Sequence, residues 1–179
     1  MSWQAYADES VRGQAYMMCV TSVASSKVKD VRKRLRALTS PGQRRLHFSG
    51  ESDRRRRVLL RDMGGLGTGS VIYVARHRDQ VAARAAILTA VVGDLLEQGT
   101  TGFVLESRAN QDQRDRSVIS HAIGSGGSTP FTYAHSEAHG EPLLWVPDAV
   151  AWAWGRDRRW KKVVRDLQLV TGVRNIEVN

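Results

Sequence analysis

The chain has 179 residues, 41% of them hydrophobic and 25% charged, which suits one domain over 1–179 with a core of ordinary size. Its single cysteine, Cys19, excludes a disulfide framework or a cysteine-based metal site within the chain. The longest apolar run, Ala85 to Val92, is too short to span a bilayer and no leader pattern opens the chain, so a cytoplasmic protein with no membrane partner is expected.

The net charge of +9 is concentrated. Between Lys27 and Arg61 stand thirteen basic residues against Asp30, Glu51 and Asp53, a local +10. Concentration on one segment favours a polyanion partner, with a solvated arginine-rich face as the other reading.

Trp3 to Ser10 reads as a first strand that ends on two adjacent carboxylates, Asp8 and Glu9. Charges at the end of a buried strand are costly unless compensated, and a divalent metal is the usual compensation. A turn at Val11 to Gln14 leads to a second strand, Ala15 to Val23, as the partner of an antiparallel hairpin. Ser25-Ser26 offers N-cap chemistry for a helix from Lys27 to Leu38, with Val28, Val31, Leu35 and Leu38 on one face. Lys33 and Arg34 lie away from that stripe. Arg45 to Phe48 reads as a short strand.

Ser49 to Asp53 then caps a helix running to about Met63, with Arg54, Arg55, Arg56 and Arg57 in its first turn. Cations there oppose the helix dipole, so they serve either bound phosphate or bulk water. Gly64 to Ser70 lacks the Lys-Ser/Thr of a phosphate loop and runs from helix to strand, so it reads as a helix stop and turn before a strand from Val71 to Ala75. A long helix from Asp79 to Gln98 follows, with Val81, Ala85, Leu88, Val92 and Leu95 as its buried stripe.

Thr100 to Leu105 is apolar on both faces, as a central strand should be, and it ends on Glu106. A helix opens at Asn110 to Asp115, where Asp112 is either a supplementary metal ligand or a dipole partner. Gly124 to Gly127 and Pro130 break the chain before a strand from Phe131 to His135. His135 and His139 have zinc spacing but no third ligand nearby, so a proton-shuttling role for His135 or a surface histidine is preferred. A short apolar strand from Leu143 runs into Pro147 at the first position of a helix, with Asp148 in its first turn and small alanines around it. The tail, Arg158 to Gln168, is a second basic helix with Lys161 and Lys162.

Asp8-Glu9-Ser10 and the Leu-Leu-x-x-x-Asp-Ala-Val-Ala pattern from Leu143 to Ala151 resemble the two signature segments of a bacterial family. That family is called domain of unknown function 3800 and is grouped with the RNase H-like (retroviral integrase-like) nucleases. The resemblance implies an α/β fold, a mixed central sheet that starts with an antiparallel hairpin and carries helices on both faces. It also implies an acidic site of Asp8, Glu106 and Asp148; Glu9 and Asp112 as further candidate metal ligands, and His135 as a candidate catalytic residue, come from the reading of the residues themselves. This chain departs from the pattern at Val11 (commonly Gly), Glu106 (usually Asp), and Trp145 and Pro147 (usually Gln and Ala).

Such a site suits Mg²⁺ or Mn²⁺, and two ions ~3.5–4 Å apart supply an activated water and a stabilised leaving oxygen for phosphodiester hydrolysis. Lys33, Arg34, Arg54 to Arg57, Lys161 and Lys162 would hold RNA or DNA through its backbone, with weak sequence preference. The expected function is therefore a divalent-metal-dependent nuclease. A nucleic-acid-binding module without catalysis, or an interaction protein with a basic face, are the alternatives.

Overall fold

The computed structural model describes residues 1–124 and 131–179, so the expected chain break at Gly126, Gly127 and Pro130 falls outside the described residues. Six strands form one sheet: β1 (Trp3–Arg12), β2 (Ala15–Ala24), β3 (Gly69–Arg76), β4 (Thr100–Glu106), β5 (Thr132–Ser136) and β6 (Val170–Ile176). Their order is β5-β4-β1-β2-β3-β6, and β2 alone runs against the other five. The helices are α1 (Val28–Arg36), α2 (Asp53–Gly64), α3 (Gln80–Glu97), α4 (Asp112–Ile123), α5 (Trp145–Arg156) and α6 (Arg158–Asp166). This is the mixed α/β sheet with a leading hairpin that the sequence predicts. Among the described residues, no helix is long and apolar enough to cross a membrane.

Strand alternation sorts the core into two layers. Tyr6, Met17, Cys19 and Val23 face α1, α2, α5 and α6, whereas Ala5, Ala7, Tyr16, Met18 and Val20 face α3 and α4. On the first layer α5 lies along β1 and β2, where the buried Ala149, Ala151 and Ala153 permit close approach.

Four local expectations need correction. Arg45 to Phe48 is not a strand: Leu46 and Phe48 are buried while His47 faces out, a period of two that mimics one, but the segment pairs with no strand and ends in a single 3-10 turn at Phe48–Gly50. Leu143 to Val146 is a 3-10 turn (Pro142–Leu144) running straight into α5, and Pro147 is the third helical residue, where a missing N–H still costs nothing. Neither Ser25 nor Ser26 caps α1; the two serines and Lys27 form a 3-10 turn that feeds it. The buried face of α3 is rotated from the expected stripe, so Val81 is exposed and Arg84 points inwards. The sequence reading also omits β6, whose polar, mostly exposed residues pair in parallel with β3 at the sheet edge.

An aromatic chain closes the first layer, with Phe48, Trp152 and Trp160 in successive edge-to-face contacts at 5.4 and 5.3 Å. Trp160 is 1% exposed and anchors α6. Trp160→Ala should therefore cost about 3–5 kcal/mol, read as a lower urea midpoint at unchanged slope.

Candidate functional site

Parallel pairing aligns Ala7 with Leu105, so the next residues, Asp8 within β1 and Glu106 at the end of β4, lie side by side on the same face; β1 itself runs on to Arg12, beyond the Ser10 end expected from the sequence. The first turn of α5 brings Asp148 to the same place, because that helix packs on β1 from the first layer. Asp8, Glu106 and Asp148 line one cleft of about 340 Å³ together with Arg45, His47 and Arg108.

The electrostatics follow from that crowding. Burial pushes the Asp8 carboxyl well above the usual range, and a hydrogen bond with Glu106 and the charges of Glu106 and Asp148 push the same way; the Glu9 N–H, 2.7 Å from Oδ1, opposes them. Burial, then the charge of Glu106, raises Asp148 to about 6, against the pull of His47, the Phe48 backbone N–H and Arg45. Three hard oxygen donors that resist joint ionisation are chemically suited to a Mg²⁺- or Mn²⁺-sized cation.

No family model matches the chain, and no curated protein does. A solved structure, that of the PCNA:RNase HII complex from Archaeoglobus fulgidus, superposes with a TM-score of 0.55 at 13% identity, covering 94% of this chain and 78% of that one. The fold is RNase H-like. At that identity the likeness carries the architecture, and the chemistry has to be argued from the cleft.

The other candidate site residues do not join this group of three carboxylates. Glu9 alternates to the other side of β1 from Asp8 but still borders the same cleft, where it is ion-paired with Arg84 and, at 2.8 Å, with Arg108. His135, expected to shuttle protons beside Asp8, instead donates from Nε2 to Asp115 Oδ2 at 3.1 Å on that second face. Asp112 does not reach the three carboxylates: it accepts from Ser107 Oγ and the Arg108 N–H at 2.7 Å each, tying the loop that follows β4. His139 pairs with exposed Glu137 at 3.0 Å, so the two histidines share no metal.

Asp112, Asp115 and His135 do form a second cluster, with ligand atoms within 4.8 Å of one another. One of its members already has a guanidinium partner. Arg84 grips Asp115 through Nε at 2.8 Å and Nη2 at 2.7 Å, and donates to the Tyr16 hydroxyl at 2.7 Å. Sequence reasoning missed Arg84 and Asp115, and it missed Arg45, His47 and Arg108 as cleft residues. A charged residue alone in the otherwise uncharged stretch from Gln80 to Gly93 of α3, as Arg84 is, was the one available signal.

The arginine run at the start of α2 divides. Arg55 donates to the Leu38 carbonyl, and Arg56 donates to the Phe48 and Ser49 carbonyls while lying 4.2 Å over the Trp152 ring. Arg54 and Arg57 stay exposed, as do Lys33 and Lys162. Arg34 donates to the Gly65 carbonyl at 3.0 Å, and Lys161 is half-buried over Trp154.

These carboxylates give the metal-free fold a pH dependence of definite sign. Asp148 rises from 3.8 to about 6 on folding, so the native state holds the proton more tightly; the stabilisation is complete below about pH 4 and is lost as pH rises through about 6. In chelator, denaturation should show about 3 kcal/mol lost across that window. Asp8 adds to the loss in the same direction, and Asp148→Asn should flatten its own share of the profile.

Proposed function

We propose that the chain is a divalent-metal-dependent nuclease that hydrolyses phosphodiester bonds of nucleic acid. Asp8, Glu106 and Asp148 hold the metal, as the resemblance to the domain of unknown function 3800 family implies. The observation that carries this is the convergence of three carboxylates from β1, β4 and α5 on one cleft of an RNase H-like fold. When bound, Mg²⁺ or Mn²⁺ supplies a water of lowered pKa and offsets charge on the leaving oxygen. The residues themselves divide the work. Asp8, the most buried of the three at 8% exposure, fixes the inner edge of the site, and Glu106 and Asp148 present oxygens from either side. The Glu9 N–H orients Asp8, and the Phe48 N–H does so for Asp148. Exposed basic residues of α1, α2 and α6 hold the substrate backbone by charge, which gives affinity with little sequence preference.

A second reading has one observation of its own: Arg45 Nη1 lies 3.8 Å from Glu106 Oε1, where a cation is needed. In that reading the chain binds nucleic acid and a guanidinium stands in for the metal.

Melting with Mg²⁺ or Mn²⁺ separates the two. The nuclease should gain melting temperature with metal concentration as mass action requires. Asp8→Asn and Asp148→Asn should each abolish that gain, and cleavage of a panel of single-stranded, duplex and hybrid substrates, while the metal-free variants melt no lower than the parent. A parent with no metal-dependent gain sinks the nuclease reading and leaves the binding module.

The basic face has its own check. Changing Arg54 and Arg57 to glutamine should weaken binding on all sequences alike and flatten the log–log salt slope by ~0.9 per lost duplex-DNA phosphate contact. Arg55→Gln should leave the slope alone, because that side chain is committed to a carbonyl.

A further inference from the structure

A cleft built from three carboxylates repels the substrate it is meant to hold. A phosphodiester brought to Asp8, Glu106 and Asp148 needs positive charge from the protein as well as from any metal, at the height of the reacting phosphate rather than on a distant face. Two arginines line the cleft, and they come from two different connections of the chain. Arg45 arrives from the connection between α1 and α2 and stands 3.8 Å from Glu106. Arg108 arrives two residues past the end of β4, and its Nε is 2.8 Å from Glu9, the neighbour of Asp8.

Each arginine is aimed by its own contacts. Arg45 is braced by His47, whose Nδ1 is 3.3 Å from Nη2, while Ser49 Oγ is 3.3 Å from the other ring nitrogen. Arg108 is fixed at its backbone by Asp112, and Glu9 holds it through a carboxylate that is itself buried against Arg84. Yet the two side chains remain 42% and 46% exposed, so both are anchored and both are open to a ligand. A planar fork of N–H donors held this way matches phosphate geometry in a manner that a lysine does not.

We propose that Arg45 and Arg108 together form a clamp on the substrate's phosphodiester within the carboxylate cleft. This rests on the nuclease reading for its substrate class, but it concerns binding and is tested apart from turnover. The clamp is distinct from the basic faces of α1, α2 and α6: it acts on the phosphate at the carboxylates, and its arginines are supported by residues of the cleft wall. It also gives the acidic residues of the second sheet face a role, since Glu9 and Asp112 aim Arg108.

The experiment measures binding of a short fluorescein-labelled single-stranded oligonucleotide by anisotropy, with Ca²⁺ replacing Mg²⁺ to suppress cleavage, alongside Mn²⁺-dependent melting of the same proteins. Arg45→Ala and Arg108→Ala should each weaken binding by about 10- to 100-fold, the loss expected for a charge-assisted contact. Arg114→Ala, the same charge change on the exposed surface of α4, should stay near the parent. Arg45→Lys and Arg108→Lys keep the charge, and the ion pair with Glu9, but lose the fork; they should recover only part of the affinity, and they decide the matter if an alanine variant misfolds. The melting gain with Mn²⁺ should survive in all of them. If the alanine and lysine variants bind like the parent, or lose no more than Arg114→Ala, the clamp is wrong even where the metal gain is intact. Loss of the metal gain in the parent instead counts against the nuclease reading, and the binding series still judges the clamp.

Discussion

The pairing of β1 with β4 is the constraint from which the rest of the molecule follows. Two parallel neighbours in the register Ala7 to Leu105 carry their next residues side by side, and here these are Asp8, where β1 leaves its pairing with β4, and Glu106, the last residue of β4. Adjacent like charges oppose one another, and burial of Asp8 deepens the conflict. The first turn of α5 then adds Asp148 to the same spot. Such an arrangement is relieved only by protons or by cations. The guanidinium groups that line the cleft, those of Arg45 and Arg108, are what that relief looks like in the protein alone.

The same end of the sheet shows how one residue type meets two fates. Asp115, 1% exposed on the second face, is gripped by a bidentate guanidinium. Glu9 shares the same arginine, yet burial still pushes its carboxyl up to about 7, and burial with the charge of Glu106 raises Asp148 to about 6. A buried ion pair adds little net stability relative to an apolar pair, yet removing one member of it is expensive. Arg84 therefore acts as a fixture: it ties Glu9, the Tyr16 hydroxyl and Asp115 together. The cluster of Asp112, Asp115 and His135 adjoins this fixture through Asp115, whose charge the guanidinium already pairs.

Much of the framework was legible in the chain because local signals agreed with the fold. The hairpin, the long helix after Asp79 and the apolar strand ending at Glu106 each carry a clear period and clear stops. Asp8, Glu106 and Asp148 were legible as strand-end and helix-start carboxylates, and the resemblance supplied their grouping. What surrounds them was not. Arg45 and His47 sit in a segment whose alternation imitates a strand, since Leu46 and Phe48 are buried by helices rather than by a sheet face. The fate of Glu9 depends on Arg84, many residues away, and no local pattern encodes that pair. β6 failed to register because an edge strand with one neighbour needs few apolar residues.

The basic segment between Lys27 and Arg61 shows why net charge is a poor count of phosphate contacts. Arg32 turns inwards to a double contact with Glu141 at 2.9 and 2.5 Å. Arg55 and Arg56 spend their donors on backbone carbonyls of the connection that precedes α2, the same connection that carries Arg45 and His47. Arginine suits this work because its fork can bind carbonyls and lie on a ring at once. Arg56 does both, resting on Trp152, which stands one turn beyond Asp148 on α5. Some of the positive charge thus shapes the wall of the acidic cleft before any of it meets a substrate. The two arginines of the first turn of α2 that remain exposed, Arg54 and Arg57, extend from a segment already fastened to the helix of the site. A polyanion held by them is held to the layer of the molecule that carries Asp148.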